Sequence, residues 1–281
     1  MRDRIQVLTT MIVSAVLVVG VQAQTASAAV DQTPPVLVVE AKPAFVVGNV
    51  LAPPSDDPEL VYFTYGIEQL LNWSATDDVG VCWYDLDIVP AGAPPRPILE
   101  FVPDTQFLYT FGTDYDGSFG GGSEVVHGFL VTARDCQYNA TTRFVPDRPR
   151  VTQEDNASGI FEVSPWGQLT YEDHWGVGVC GCFLQGNTAR TTTRGAVAEF
   201  TRTYEEGDHV ALVMAQGPGR GRATIRVDGV IVDRIDTFAE ANTNRVVVFE
   251  TAMSAGTHTL SITNLATLGR PRIDLDAVLT N

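Results

Sequence analysis

The stretch "HVALVMAQGPGRGRATIRVDGVIVDRID", His209–Asp236, decides the fold class. It reads as three strands joined by two turns. Asp228-Gly229 is a two-residue turn between "TIRV" and "VIVD", and a type I′ hairpin needs positive φ at both of its central positions. Gly217, Gly219 and Gly221 form a looser inter-strand turn before it. "GPGRGR" does not read as a phosphate cradle, because that requires a strand running into a helix N-terminus, and here the chain runs into the strand "ATIRV".

The same texture extends in both directions. Short runs rich in Val, Thr, Phe and Tyr alternate with Gly, Pro, Asn and Asp, and no long segment carries a helical period. In the first half Leu71, Trp73 and Ala75 alternate with polar neighbours, Tyr84, Leu86 and Ile88 share one face, and Phe129, Val131 and Ala133 repeat the pattern. "PDRPRVTQEDNASG" (Pro146–Gly159) is polar and free of apolar periodicity, which marks a boundary. The expectation is an all-β chain of two β-sandwich domains in tandem: a leader over 1–29, a first sandwich over 30–148, a linker over 149–159 and a second sandwich over 160–281.

"WSATDDVGV" (Trp73–Val81), followed by "ARDCQYNAT" (Ala133–Thr141), resembles the fibronectin type III or immunoglobulin-like modules of secreted bacterial proteins. Tyr138 stands where those modules usually have glycine. In the second half "TTRGAVAEFT", "GPGRGRATIRVDG", "GTHTLSI" and "GRPRIDLDAV" together resemble a jelly-roll module of secreted actinobacterial proteins, similar to galactose-binding-like and carbohydrate-binding domains. That resemblance implies a jelly roll over 160–281 and a saccharide ligand.

Arg2 and Arg4, the apolar run Ile12–Val21 and the small residues of "TASAA" (Thr25–Ala29) read as a secretory signal peptide. The run is too short for a spanning helix, so no integral membrane span is expected, and the chain is expected to be extracellular, free or associated with the cell surface. Net charge is −16. Removing Arg2, Arg4 and Asp3 leaves 16 basic and 33 acidic residues, or −17. Residues 30–155 carry 19 acidic against 6 basic groups and 156–281 carry 14 against 10. Neither half shows the clustered basic run that phosphate-backbone binding requires, so nucleic acid and anionic membranes are excluded as partners.

Catalytic signatures are missing at the level of sequence. "DGSFG" (Asp116–Gly120) lacks both the first glycine and the strand-to-helix context of a nucleophile elbow. Asp77 and Asp78 read as turn residues bonding nearby backbone. His127, His174, His209 and His258 are scattered without zinc spacing. No cofactor is expected beyond a structural calcium, which carbohydrate-binding jelly rolls commonly hold. Alternation places its candidate ligands Asp274 and Asp276 on one face, where a solvated acidic stripe is the other reading.

"WGQLTYEDHWGVGVCGCF" (Trp166–Phe183) concentrates aromatic residues. Tyr171, His174 and Trp175, flanked by Glu172 and Asp173, have the composition of a glycan-binding loop, with Trp175 as the leading contact. The competing reading buries Trp166 and Trp175 in the core. Two of the four cysteines fall in each half, and export makes disulfides the default. The domain split favours Cys82–Cys136 and Cys180–Cys182. Alternation opposes the first pair, since Cys82 shares a face with Tyr84 while Cys136 is out of phase with Phe129 and Val131. The chain must therefore leave strand geometry near Asp135. A Cys180–Cys182 bridge would act as a clasp on the loop between Trp175 and Phe183. The functional expectation is a non-catalytic protein that binds an extracellular or cell-wall glycan, with an adhesive protein-binding surface as the alternative and a cryptic hydrolase behind both.

Overall fold

The Asp228-Gly229 turn forms as its chemistry demands: in the computed structural model the two residues have φ of 50° and 78°, and Val227 pairs with Val230 across them. The structure describes residues 31–51, 65–90, 92–113, 126–152, 163–164, 167–172 and 174–281. The leader, the glycine-rich stretch containing Asp116–Gly120, Trp166 and Asp173 lie outside the described residues. The chain divides into two units, Met1–Asp31 and Gln32–Asn281, and every strand belongs to the second.

The protein is all-β. Strands β1 (Val36–Val39), β2 (Ala44–Phe45), β3 (Tyr65–Thr76) and β6 (Gln106–Thr113) form one four-stranded sheet. Strands β4 (Val81–Pro90), β5 (Arg96–Val102), β7 (Val126–Asp135) and β8 (Ala140–Pro146) form the sheet that faces it, in the order β5-β4-β7-β8. The second half holds two six-stranded sheets. One runs β10 (Val163–Ser164), β11 (Gly167–Glu172), β14 (Val197–Tyr204), β19 (Gly256–Asn264), β16 (Arg222–Val227) and β17 (Val230–Asp236). The other runs β12 (Gly176–Val179), β13 (Asn187–Thr191), β20 (Ile273–Thr280), β15 (His209–Gln216) and β18 (Thr243–Ala252), with β9 (Arg150–Thr152) also pairing β20. No helix among the described residues is long and apolar enough to cross a membrane.

Alternation delivers the expected faces. Leu71, Leu86, Phe129, Val131 and Ala133 are fully buried in the first core, with Trp73, Tyr84 and Ile88 nearly so. Each large side chain buried this completely contributes about 2–3 kcal/mol. Asp77 accepts from the amide of Val79 at 3.0 Å, the turn role expected for it. Tyr138 adopts φ 69°, in the left-handed region that favours glycine. Asp135 holds that turn by accepting from the amides of Gln137 and Asn139 at 2.7 and 2.8 Å.

Two expectations change. The glycine-rich segment Gly217–Gly221 is not a turn within one sheet: β15 and β16 belong to opposite sheets, so it crosses between them. Its tightness is real, since a Cβ on Gly221 would lie 2.1 Å from the carbonyl oxygen of Arg270. The C-terminal strand β20 lies inside its sheet, between β13 and β15, and every residue in it is buried. Finally, the segment 149–159, read as linker, opens on β9, whose residues pair Thr152 with Val278 and Arg150 with Thr280.

These changes have one origin. β20 and β15 carry apolar residues on both faces, and each face meets a different core. Val210, Leu212, Met214, Ile273 and Leu275 belong to the core inside the second sandwich. Ala211, Val213, Ala277 and Leu279 belong to the core that also holds Phe45, Leu51 and Phe129. The shift of phase along β20 occurs at Asp276, the residue skipped where Val213–Ala277 pairing gives way to Met214–Leu275. The backbone of Gly48–Leu51 adds to the edge of β18 through Gly48 N to Val247 O at 2.7 Å and Leu51 N to Arg245 O at 2.9 Å. A buried Lys42–Asp208 ion pair and Asn281 Nδ2 donating to Pro43 O at 2.8 Å seal the same seam.

Candidate functional site

The outer face of the β12-β13-β20-β15-β18 sheet is covered by the first sandwich at one end and open at the other. Over the open end runs a groove formed by two adjoining hollows of about 340 and 280 Å³ that share Arg190 and Arg272. His174, Thr191 and Thr192 line one end; Arg220, Asn242 and Asn244 line the other. The period of two along β13 and β20 puts Arg190, Arg272 and Asp274 on this face, with Ala189, Ile273 and Leu275 directed into the core.

Asp274 organises the groove. It is fully buried, and its Oδ2 accepts from Arg220 Nε at 2.8 Å while its Oδ1 accepts from Arg272 Nε at 2.8 Å. Arg220 Nη1 continues to Asn242 Oδ1 at 2.5 Å. Arg190 has no ion pair among the described residues and is exposed, so its guanidinium is available to a ligand. This overturns Asp274 as a calcium ligand. Both oxygens are engaged by guanidinium groups, whose positive charge opposes a cation. Asp276 does not join it either: its Oδ1 accepts from the amide of Leu184 at 3.0 Å and fixes the 3₁₀ turn Leu184–Gly186.

The clasp lies on the groove wall. Cys180 and Cys182 are bridged with Cα atoms 5.0 Å apart, and both line the larger hollow together with Phe183. Arg245, itself buried, donates from Nη2 to the carbonyls of Gly181 at 2.7 Å and Phe183 at 3.0 Å, which ties this loop to β18. The other bridge, Cys82–Cys136, forms as expected with Cα atoms 5.1 Å apart. The alternation that opposed it is relieved at both ends. Cys82 is the extra residue where the pairing jumps from Val81–Asp135 to Trp83–Arg134, a β-bulge, and Cys136 lies in the turn after β7.

The expected aromatic loop is divided by the sheet. His174, held at φ 57°, lines the groove, and its carbonyl accepts from Thr191 Oγ1 at 3.0 Å. Tyr171 and Trp175 instead pack partly buried against the core of the second sandwich, ring centroids 5.2 Å apart and planes tilted by 50°. Trp175 Nε1 is buried there with no hydrogen-bond partner among the described residues. Glu172 is exposed. Among the described residues, Phe101 and Tyr138 are strongly exposed, at 64% and 68%, and flank Trp83 at centroid distances of 5.8 and 5.2 Å on the first sandwich. The remaining described histidines with resolved partners serve structure, His209 pairing with Glu250 and His258 with Asp228.

Comparison with known proteins carries no argument for function. No family model and no curated protein matches the chain. Among solved structures it is similar to the CBM36-1 domain of a multidomain xylanase from the hindgut metagenome of Trinervitermes trinervoides. That match has 9% identity and a TM-score of 0.27, covering 41% of this chain and 96% of that one. It is also similar to an exo-β-1,3-galactanase from Phanerochaete chrysosporium, at 15% identity and TM-score 0.33, covering 86% of this chain and 57% of that one. A third is an insecticidal δ-endotoxin from Bacillus thuringiensis, at 9% identity and TM-score 0.24, covering 89% and 53%. A carbohydrate-binding domain, a glycosidase and a toxin at such distances leave function to the site itself.

The groove residues Arg190, Arg220 and Arg272 escaped the sequence reading because they stand 30 and 52 positions apart along the chain. Only Arg272 carried a local signal, two residues before Asp274 on the same strand face.

Proposed function

We propose that the protein is an exported, non-catalytic glycan-binding protein whose ligand lies in the open groove of the second sandwich. The observation that carries this reading is the groove lining. Arg190, Arg272, Asn242, Asn244 and Thr192 present directional hydrogen-bonding groups from strands and short loops braced by Asp274 and the cysteine clasp. A saccharide offers a matching array of hydroxyls, and preorganised donors lose little entropy on binding it. Glycoside hydrolysis requires two opposed carboxyls at a defined separation; among the described residues, none of those lining the groove is Asp or Glu. The first sandwich, with one sheet built from β1, β2, β3 and β6 and the other from β4, β5, β7 and β8, supports an immunoglobulin-like spacer or interaction module.

The test is a glycan array probed with the full exported chain, whose N-terminus is expected at Val30. Binding to a cell-wall or host polysaccharide is expected, with loss in Arg190→Gln and retention in Trp175→Ala despite a stability cost of about 2–3 kcal/mol in the latter. Absence of binding across the array, or turnover of any bound glycan, overturns the reading. The second reading, protein adhesion, is favoured by one observation: the exposed Phe101–Trp83–Tyr138 cluster. If that surface is the functional one, Tyr138→Ala abolishes partner capture while Arg190→Gln leaves it intact.

A further inference from the structure

Two connections meet at one end of the second sandwich: the Asp228-Gly229 turn after β16, and the loop that joins β18 to β19. Three side chains converge there. Ser254 Oγ lies 3.1 Å from His258 Nε2, and His258 Nδ1 lies 2.7 Å from Asp228 Oδ2.

The pairing that fixes the His258 ring in the fold also decides its tautomer. An ionised carboxylate can only accept, so Nδ1 carries the ring proton. Nε2 of the neutral ring is then an acceptor, and the Ser254 hydroxyl donates to it. Asp228 is itself held from the backbone. Its Oδ1 accepts from the amide of Thr259 at 2.9 Å, and its own amide donates to Thr259 O at 2.9 Å. The hydrogen bonds from His258 and from the Thr259 amide keep this carboxyl below its ordinary range.

The hydroxyl is both held and reachable. Ser254 is exposed, while the loop is pinned on either side of it. The amide of buried Met253 donates to Asp208 O at 2.6 Å, and that of Ala255 to Glu206 Oε2 at 3.2 Å. Gly256, at φ 132°, leaves room beside the ring, where a Cβ would stand 3.6 Å from His258 Nε2. From β14, Arg202 stands opposite His258 in the sheet and the Tyr204 ring lies 6.1 Å away between centroids.

We infer that Ser254 is an acyl-acceptor site: His258 takes its proton, Asp228 positions the ring, and the hydroxyl captures the acyl group of an activated ester. The bond from Oγ to the acyl carbon forms as the bond to the leaving oxygen breaks. The Ser254 proton passes through His258 Nε2 to that leaving oxygen. Capture stops at the ester. The Ala255 amide is taken by Glu206, so it cannot stabilise an oxyanion, and the carboxylate beside it opposes one. An activated donor compensates with a good leaving group in the first step, whereas hydrolysis of a serine ester has none. The site therefore carries a covalent mark, on residues separate from the non-catalytic groove.

The experiment mixes the full exported chain with 4-nitrophenyl acetate and follows nitrophenolate release and protein mass. Lys42 is the one lysine of the sequence and is buried in its ion pair, so side-chain amines add little background. A burst of one equivalent is expected, with a single acetyl group on the peptide that carries Ser254. Ser254→Ala should abolish the burst, and His258→Gln should slow it at least about a hundredfold. Asp228→Asn creates an Asn-Gly pair that suits the same turn, so the fold is kept while the charge is lost. Acylation should then slow at least about tenfold. Its rate–pH curve should also move to lower pH, because the positive form of the ring loses its counter-charge. A rate equal to that of buffer, an acetyl group on His258 or the amino terminus, a burst that survives Ser254→Ala, or steady turnover after the burst overturns the inference. Arg190→Gln leaves the burst intact, so failure of the groove and failure of this site are told apart.

Discussion

On the open face of the second sandwich Arg220 and Arg272 close on the two oxygens of a buried Asp274, whereas at the seam Arg148, Arg150 and Arg202 line a hollow beside a buried Asp147. The groups are alike and their electrostatic situations are opposite. In the groove a fully buried carboxyl, held between two guanidiniums, fixes both arginines as scaffold and leaves Arg190 to meet a ligand. At the seam the buried carboxyl, Asp147, is protonated, and Asp208 is satisfied by Lys42.

The largest effect expected tests the seam. Asp147 has a native pKa of about 8 against an ordinary 3.8, raised first by burial and moderated by Gln69, Lys42 and Asn281. The native state keeps a proton that the unfolded chain releases, so this contribution is complete below about pH 4 and is lost as pH rises through about 8. At about 1.4 kcal/mol per pKa unit the loss reaches up to ~6 kcal/mol. Denaturant unfolding at about pH 5 and about pH 8.5 should show this slope and its flattening in Asp147→Asn. An unchanged slope in that variant means Asp147 is ionised at neutral pH and the contrast with Asp274 is lost.

Asp274→Ala comes next, at about 3–5 kcal/mol in the same unfolding assay, because it leaves Arg220 buried beside Arg272 with no counter-charge. A cost near zero would show that Arg220 and Arg272 rehydrate, and the groove would then lack its brace. The disulfides sharpen the picture further. Opening Cys82–Cys136, with a sequence separation of 54, should cost about 4 kcal/mol of chain-entropy stabilisation. Opening Cys180–Cys182, with a separation of 2, should cost about 1–2 kcal/mol while weakening glycan binding, since that loop walls the groove. The smallest stability effect belongs to Arg190→Gln, within about 0.5 kcal/mol, as an exposed side chain without an ion pair.

Much of the second sandwich was legible locally. Asp228-Gly229 dictated its own turn, because those two residues tolerate positive φ and few others do. The alternation of Tyr84, Leu86 and Ile88, and of Phe129, Val131 and Ala133, identified a buried face. Alternation failed at Cys82 because a bulge inserts a residue without changing the composition around it. Trp175 and His174, adjacent in the chain, read as one binding loop in the sequence; the structure turns His174 onto the groove and Trp175 toward the core. Aromatic content could not reveal this, since a ring packs equally well against a core or a ligand.

Sequence alone determined the strand-forming runs, the tight hairpin and the Cys82–Cys136 pairing favoured by the domain split, because each rests on local backbone preference or on a count of partners. Tertiary structure decided the partnering of sheets, the placement of the last strand inside its sheet, and the gathering of Arg190, Arg220 and Arg272 into one groove. Those outcomes depend on which apolar faces meet and which carboxyls are buried with them. That is a property of the assembled chain, since burial and Coulomb energy act on neighbours in space wherever they stand in sequence.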